Sequence, residues 1–151
     1  MQIRVITVII LVDSGSTHNF IHRRIAQETH CYIHAVNNFQ IMIANGGSMK
    51  CGECCENVHV QIGDHHLKSH MFAIDMRGCD IVLGADWLRT LGPIPMDFKD
   101  LTMQFDQEGH QYKFQGITVS SPKIISSHRM EKLLKKGLSG VIAQLHAIQA
   151  K

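Results

Sequence analysis

Alternating apolar and polar residues, interrupted by glycine-containing turns, fill most of positions 39–114 and constrain the fold more than any other feature. Neighbouring side chains of a strand point to opposite faces, so a period of two predicts half-buried β-strands. The predicted strands cover residues 39–43, 58–62, 67–74, 101–105 and 112–114. Many short strands with regularly spaced turns are typical of a small barrel or sandwich.

Turn residues join these strands into hairpins. Asn45-Gly46 is the strongest short hairpin signal, because both residues readily adopt positive φ angles. Gly63-Asp64 and residues 106–109 give two further turn signals. The sequence therefore predicts two hairpins, at Asn45-Gly46 and at residues 106–109, and a further turn at Gly63-Asp64 between strands that are neighbours along the chain.

A single carboxylate follows the apolar run at positions 5–12, which is predicted to be a buried strand and is too short to span a bilayer. Asp13 is followed by Ser14 and Gly15, so the acid lies on a tight, polar loop at the end of a rigid strand. An Asx-turn that only ends the strand is the alternative interpretation of this tripeptide. His18 lies five residues after Asp13 and is predicted to be a loop histidine rather than a catalytic partner.

Two short helices are predicted. Ser16 or Thr17 can cap the first, whose apolar side would contain Phe20 and Ile25. Asp86 stands where the N-cap of the second would lie, after a short apolar strand that ends in glycine.

The composition and the apolar pattern of the sequence change near position 119. Serines and a proline form a linker, and apolar residues with helical spacing follow it. We expect residues 1–118 to be one domain and residues 119–151 to be a linker and an amphipathic helical tail. The apolar residues of that tail include Leu138, Val141, Ile142, Leu145 and Ile148.

Charge and cysteine content limit the possible partners. A net charge of +2 gives no strong attraction to nucleic acid or membrane, so neither is expected as a partner. Five cysteines are an odd number in a chain that is not disulfide-dense, which favours reduced thiols in the cytoplasm.

A partial zinc motif offers an alternative function. Cys51, Cys54 and His59 have the spacing of a zinc knuckle, but position 64, where the last ligand would stand, is aspartate. The alternation around His59 predicts an outward-facing strand residue, which does not suit the tight loop of a knuckle. No metal site is therefore predicted, and a zinc-dependent nucleic-acid-binding module is the least favoured hypothesis.

One carboxylate cannot act as both base and acid, whereas two close carboxylates share a proton and do both. A chain with one such loop could supply the pair only by two-fold symmetry. The segments LVDSGSTHNFI at 11–21, the hairpin at 44–49 and CDIVLGADWL at 79–88 occur in a distinctive order. Together they resemble a retropepsin-type aspartic protease domain, similar to those of plant-type gypsy LTR retrotransposon polyproteins.

This resemblance implies a small closed barrel and an obligate homodimer that cleaves polyproteins in the cytoplasm without cofactor or metal. Asp13 from each subunit would be catalytic, Ser14 would brace the two loops, and Gly15 would leave room for peptide. Leu83, Gly84 and Asp86 would support the site, although Asp86 could be a helix cap only. The flap over the substrate would consist of Ala44, Asn45, Gly46, Gly47 and Ser48.

The family usually has another strand and turn before the strand that leads to the catalytic acid. Here twelve residues precede Asp13, and none is glycine, proline or asparagine. The alternative function is therefore a catalytically inactive, truncated module that acts as a spacer or interaction domain.

Overall fold

The computed structural model describes residues 5–43, 46–117 and 142–145. Most of these residues form a mixed sheet of seven strands in the spatial order β10-β1-β6-β2-β5-β4-β3. The strands are β1 (Ile9–Val12), β2 (Phe20–His22), β3 (Ile33–Met42), β4 (Ser48–Ile62), β5 (His65–Ile74), β6 (Ile81–Leu83) and β10 (Ile142–Leu145). The outermost strands in this order are β3 and β10, so closure into a barrel stays a prediction.

A second sheet and two helices complete the described fold. The second sheet has the order β7-β8-β9, with β7 (Met96–Asp97), β8 (Thr102–Gln107) and β9 (His110–Gln115). The helices are α1 (Arg23–Glu28) and α2 (Ala85–Leu88). The mostly β class with two short helices is therefore confirmed, as are the strands and hairpins predicted between residues 39 and 114.

The main core lies where the small sheet packs on the large one. Trp87 of α2 stacks on Phe114 and meets the edge of Phe105. His65, only 2% exposed, lies among these rings and is 2.7 Å from Gln107 Oε1 through its Nε2 atom. This aromatic packing holds α2 firmly against the strands on either side.

A second, smaller core cluster lies near Asp13. Its partly buried members come from β1, from both strands of the β3–β4 hairpin and from β5, so one apolar surface joins these elements. We call it the second cluster. Its members are Phe20, Cys51, Ile74 and Val82, with Leu11, Phe39, Ile41, Met49, Phe72, Met76 and Cys79 packed against them.

Three local predictions were wrong: the start of the buried strand, the state of Phe20 and Ile21, and the start of the first helix. The buried strand begins at Ile9 rather than at residue 5. Phe20 and Ile21 form strand β2 between β5 and β6 instead of a helix, and α1 begins only at Arg23. Its N-cap is His22, whose Nδ1 accepts a hydrogen bond from the backbone N–H of Arg24 at 3.0 Å.

Asp86 is also not an N-cap. Gly84 occupies the N-cap position of α2 without a side-chain hydrogen bond, and Asp86 lies inside the first turn. The predicted cap failed because the helix begins two residues earlier, which leaves the Asp86 carboxylate free to bind another element.

The predicted helical tail is wrong where the structure describes it. Residues Ile142–Leu145 form β10, which pairs in parallel with β1 in the register Ile9↔Ile142. Backbone pairing along an open sheet edge outweighs the helical spacing of these residues. The rest of the predicted tail and linker lies outside the described residues. Within the described ranges, no helix is long and apolar enough to cross a membrane.

Candidate active site

Asp13 lies immediately after β1, where the sheet holds its backbone. Its N–H donates to the carbonyl of Leu83 at 3.0 Å, continuing the parallel pairing of β1 with β6. The residue is half-buried, so part of it stays accessible to solvent. A rigid strand end therefore presents this acid at the edge of the second cluster.

The residues after Asp13 form a tight turn around its carboxylate. Gly15 N–H donates to Asp13 Oδ1 at 2.9 Å, and Ser16 N–H donates to the Asp13 carbonyl at 3.1 Å. Ser14 and Gly15 are exposed. The loop thus has the Asx-turn geometry named in the alternative interpretation of the tripeptide, and its small residues Ser14 and Gly15 lie on the exposed side.

Gly84 supports this loop from below by close backbone contact. A Cβ atom at position 84 would clash with the His18 carbonyl oxygen and would lie 2.6 Å from that of Ser16. The next residue, Ala85, donates its N–H to the Ser16 carbonyl at 2.7 Å. Leu83 and Gly84 therefore contact the Asp13 loop directly, as the sequence interpretation expected, and the contact leaves no room for a side chain.

Asn19 is a site residue to which sequence reasoning assigned no role. It is 3% exposed, and its Oδ1 accepts the Gly84 N–H at 2.8 Å while its Nδ2 donates to Ser69 Oγ at 3.0 Å. Its carbonyl accepts the Phe72 N–H at 2.9 Å. A polar amide directly before two strand residues was the available signal, because such a side chain must find partners inside the core.

His18 is a second residue that the sequence interpretation underestimated. It is a loop residue, as predicted, but its Nδ1 lies 3.1 Å from Asp86 Oδ2, and the two side chains are 38% and 31% exposed. Its ring also makes edge contacts with Phe20, Phe39 and Phe72 at centroid distances between 5.2 and 6.4 Å. His18 therefore links the Asp13 loop to α2 and to the hairpin.

The predicted flap corresponds to the tip of the β3–β4 hairpin. Gly46 and Gly47 belong to the turn, with Gly46 N–H donating to the Ile43 carbonyl and Ile43 N–H to the Gly47 carbonyl, both at 3.0 Å. Ser48 begins β4, and Ala44 and Asn45 lie outside the described residues. The tip is linked to the Asp13 side through the second cluster, which contains residues of both hairpin strands.

All five cysteines are free. Burial raises the pKa of Cys79 to about 11, helped by the negative charges of Asp80 and Asp13, which places this thiol near the acid loop. Burial is the main cause that raises the pKa of the Cys55 thiol to about 12, and the neighbouring Cys31 thiol raises it further.

The partial zinc motif lies on an extended strand. Cys51 and Cys54 are buried within β4, and His59 is exposed between buried neighbours of the same strand, as the alternation predicted. Among the described residues, no three His, Cys, Asp or Glu side chains are arranged to hold a metal ion. This geometry does not support a zinc knuckle.

Comparison with known families agrees with this geometry. The family model for the retroviral aspartyl protease matches residues 1–105, which is more than half of the chain. No curated protein matches the sequence. The match covers more than half of the chain, and the structure holds the Asp13 loop between a strand and the Gly84 turn. The chain therefore belongs to the retroviral aspartyl protease family.

Proposed function

We propose that this chain is an aspartic endopeptidase that acts as a homodimer, with Asp13 of each copy facing the other across a two-fold axis. The main support is the fixation of Asp13, whose backbone is bound to Leu83 and whose carboxylate accepts the Gly15 N–H. The tripeptide Asp-Ser-Gly occurs once in the sequence, so a second copy would have to supply the partner acid.

The proposed reaction is a direct attack of water on a peptide bond. The ionised carboxylate of the pair takes a proton from water as the water oxygen bonds to the carbonyl carbon, while the protonated carboxyl gives its proton to the substrate carbonyl oxygen. The resulting tetrahedral diol collapses when a proton passes to the leaving amine and the C–N bond breaks. No covalent intermediate is formed in this scheme.

The neighbouring elements have supporting roles in this proposal. Ser14, exposed on the loop, would brace the loop of the second copy, and Gly15 would let the peptide backbone approach. Gly84 and Leu83 would keep the loop in place through the contacts described above. The turn at residues 44–48 would close over bound peptide and exclude water.

The second cluster suggests which peptides would be cleaved. Its partly buried apolar side chains adjoin the Asp13 loop and the hairpin, so they offer binding surface for apolar side chains on either side of the cleaved bond. We propose that the substrate is the polyprotein of a retrotransposon that contains this domain, processed in the cytoplasm.

The first test is cleavage of a polyprotein junction peptide at about pH 5, where a carboxylate pair that shares one proton is active. The wild-type protein is compared with Asp13→Asn and with Asp64→Asn, which removes an exposed carboxylate in the β4–β5 turn. We expect D13N to abolish cleavage and D64N to leave it unchanged. Activity that is constant from about pH 4 to pH 9 would contradict a shared proton.

Subunit mixing tests the dimer. When wild-type protein is re-associated with an equal amount of D13N, heterodimers contain one acid, so cleavage by a fixed amount of wild-type chain should fall by about half. Mixing with D64N should cause no such loss. A folded wild-type protein that cuts no junction peptide would favour the alternative of a non-catalytic module.

A further inference from the structure

His18 and Asp86 come from different parts of the chain and meet beside the Asp13 loop. Asp86 is free to make this contact because Gly84, not Asp86, caps α2. The Asp86 carboxylate lies 3.1 Å from His18 Nδ1, while the guanidinium of Arg89 is more distant at 3.8 Å and largely exposed. The imidazole is thus the stronger partner of this carboxylate.

The ring of His18 is also fixed on its apolar side. Phe20 and Phe72 come from adjacent strands β2 and β5, and Phe39 comes from β3, the first strand of the hairpin. Phe39 and Phe72 are themselves in edge contact at 4.8 Å. The imidazole therefore lies at a junction of three parts: the acid loop, α2 and the base of the predicted flap.

Backbone bonds hold the acid loop up to Ser16, whose carbonyl accepts the Ala85 N–H and whose hydroxyl donates to the His18 carbonyl. Beyond this point two side chains link the segment to α2: Asn19 accepts the N–H of Gly84 at the N-cap, and His18 contacts Asp86 inside the first turn. Without the Asp86 hydrogen bond, only the three aromatic contacts would hold the imidazole, so its orientation would be less restricted. Phe39 would then no longer pack against an imidazole ring held in one orientation.

We propose that His18 is a positioning residue: Asp86 holds its imidazole through Nδ1, and the held ring fixes the Asp13 loop and the base of the β3–β4 hairpin relative to each other. The inference rests on the proposed protease function, because its role is to align the acid with a peptide held under the hairpin. Small misplacements of reacting groups lower the rate of the chemical step strongly.

Four variants test this role by steady-state cleavage of the junction peptide. His18→Phe keeps an aromatic ring but removes the donor, and Asp86→Ala removes the acceptor. Each should lower kcat about tenfold or more, with KM changed by less than about threefold. Asp86→Asn keeps an acceptor oxygen and should retain kcat within about threefold, and Arg89→Ala, which removes the distant neighbour, should match wild type.

The double variant tests whether both residues act as one unit. If they do, H18F combined with D86A should lower kcat no further than either change alone. A kcat within about twofold of wild type for H18F and D86A would overturn the inference and leave the protease function standing. The inference would also be overturned if the losses in kcat added in the double variant, or if D86N lowered kcat as much as D86A.

Hydrogen exchange gives a readout that is independent of cleavage. The amides of Gly15 and Ser16, which donate within the acid loop, should exchange faster in H18F and D86A than in wild type, with unchanged rates at the β4–β5 turn around Gly63. Unchanged loop exchange would overturn the inference. If folded wild-type protein cuts no peptide, the proposed function fails, and loop exchange still decides the role of His18.

Discussion

Gly84 is the residue at which an added methyl group should disturb the site most. Gly84→Ala would drive Cβ into the backbone oxygens of Ser16 and His18, which cannot move away as a flexible side chain can. We expect a loss of about 3 kcal/mol in the free energy of unfolding, at the upper end of typical overpacking costs. Urea denaturation monitored by Trp87 fluorescence measures this loss.

The matched control for this change is Gly63→Ala in the β4–β5 turn. Gly63 has a positive φ of 56° but open space around the missing Cβ. This substitution should cost only about 1 kcal/mol, the penalty of a left-handed backbone. Equal losses for the two variants would mean that the contact under the acid loop is not tight.

Asn19 should be the most sensitive polar residue of the site. Asn19→Ala removes the acceptor for the buried Gly84 N–H and the donor to Ser69 Oγ. Leaving a buried donor without a partner typically costs about 1–3 kcal/mol. Asn37→Ala, at an exposed position of β3, should change the free energy of unfolding by less than about 0.5 kcal/mol. Thermal or urea unfolding of both variants tests this difference, and equal effects would contradict it.

At the scale of elements, the pairing of β10 with β1 makes a prediction about single backbone bonds. The N–H groups of Ile9 and Asp13 face the β6 side, donating to Asp80 Oδ2 and the Leu83 carbonyl. The backbone N–H and C=O groups of successive residues point to opposite sides of a strand. Those of Ile10 and Val12 therefore point toward β10. With Ile10 opposite Ala143 in parallel register, the Gln144 N–H is the one that faces the Ile10 carbonyl.

Gln144→Pro should therefore remove a ladder bond and speed the amide exchange of Ile10 and Val12, while Leu11 and Asp13 stay protected by β6. Ala143→Pro, one residue away, places its missing N–H on the outer side and should leave exchange unchanged. Exchange measured residue by residue decides between the two. Equal effects of both prolines would contradict this register.

Elements with local signals were predicted well from the sequence. The turns at Gly63 and Gly109 have positive φ angles, and the hairpins around them follow the predicted alternation. The errors came from long-range pairing: Phe20–His22 became a strand because β5 and β6 lie on either side of it, and Ile142–Leu145 because β1 offers an open edge. Periodicity alone carries no information about such distant partners.

The candidate site shows the same limit. Asp13 was singled out by its loop at a strand end, and Leu83 and Gly84 by the family resemblance; the structure brings the three together, and their functional roles stay predictions. The roles of Asn19 and His18 depend on Ser69, Phe72 and Asp86, at least fifty positions away, so no local pattern could reveal them.

At the scale of the whole molecule, the cysteines predict how stability depends on pH. Burial raises the pKa of Cys51, Cys54 and Cys55 in the folded state, and that of Cys79 is raised to about 11. Below the pKa of an unfolded thiol, both states are protonated and the thiols have no effect. Above it the unfolded chain releases protons that the folded chain keeps, so stability falls as pH rises.

We expect the free energy of unfolding to decline above about pH 9. A thiol such as Cys55, which stays protonated in the folded chain while it ionises in the unfolded one, contributes at most about 1.4 kcal/mol per pH unit. Chemical denaturation at a series of alkaline pH values measures the slope. Cys55→Ala removes one thiol, so its slope should be shallower by that amount. An identical slope in this variant would show that other groups cause the decline.

The three hydrogen bonds of Asn19 have a consequence for the order of events during folding. They connect the segment after Asp13 with β5 and with the turn before α2, positions separated by fifty residues or more. Contacts of such high sequence separation form slowly, because long loops must close first. During synthesis, the acid loop cannot become ordered until Gly84 has left the ribosome, and in refolding experiments cleavage should return with the last kinetic phase.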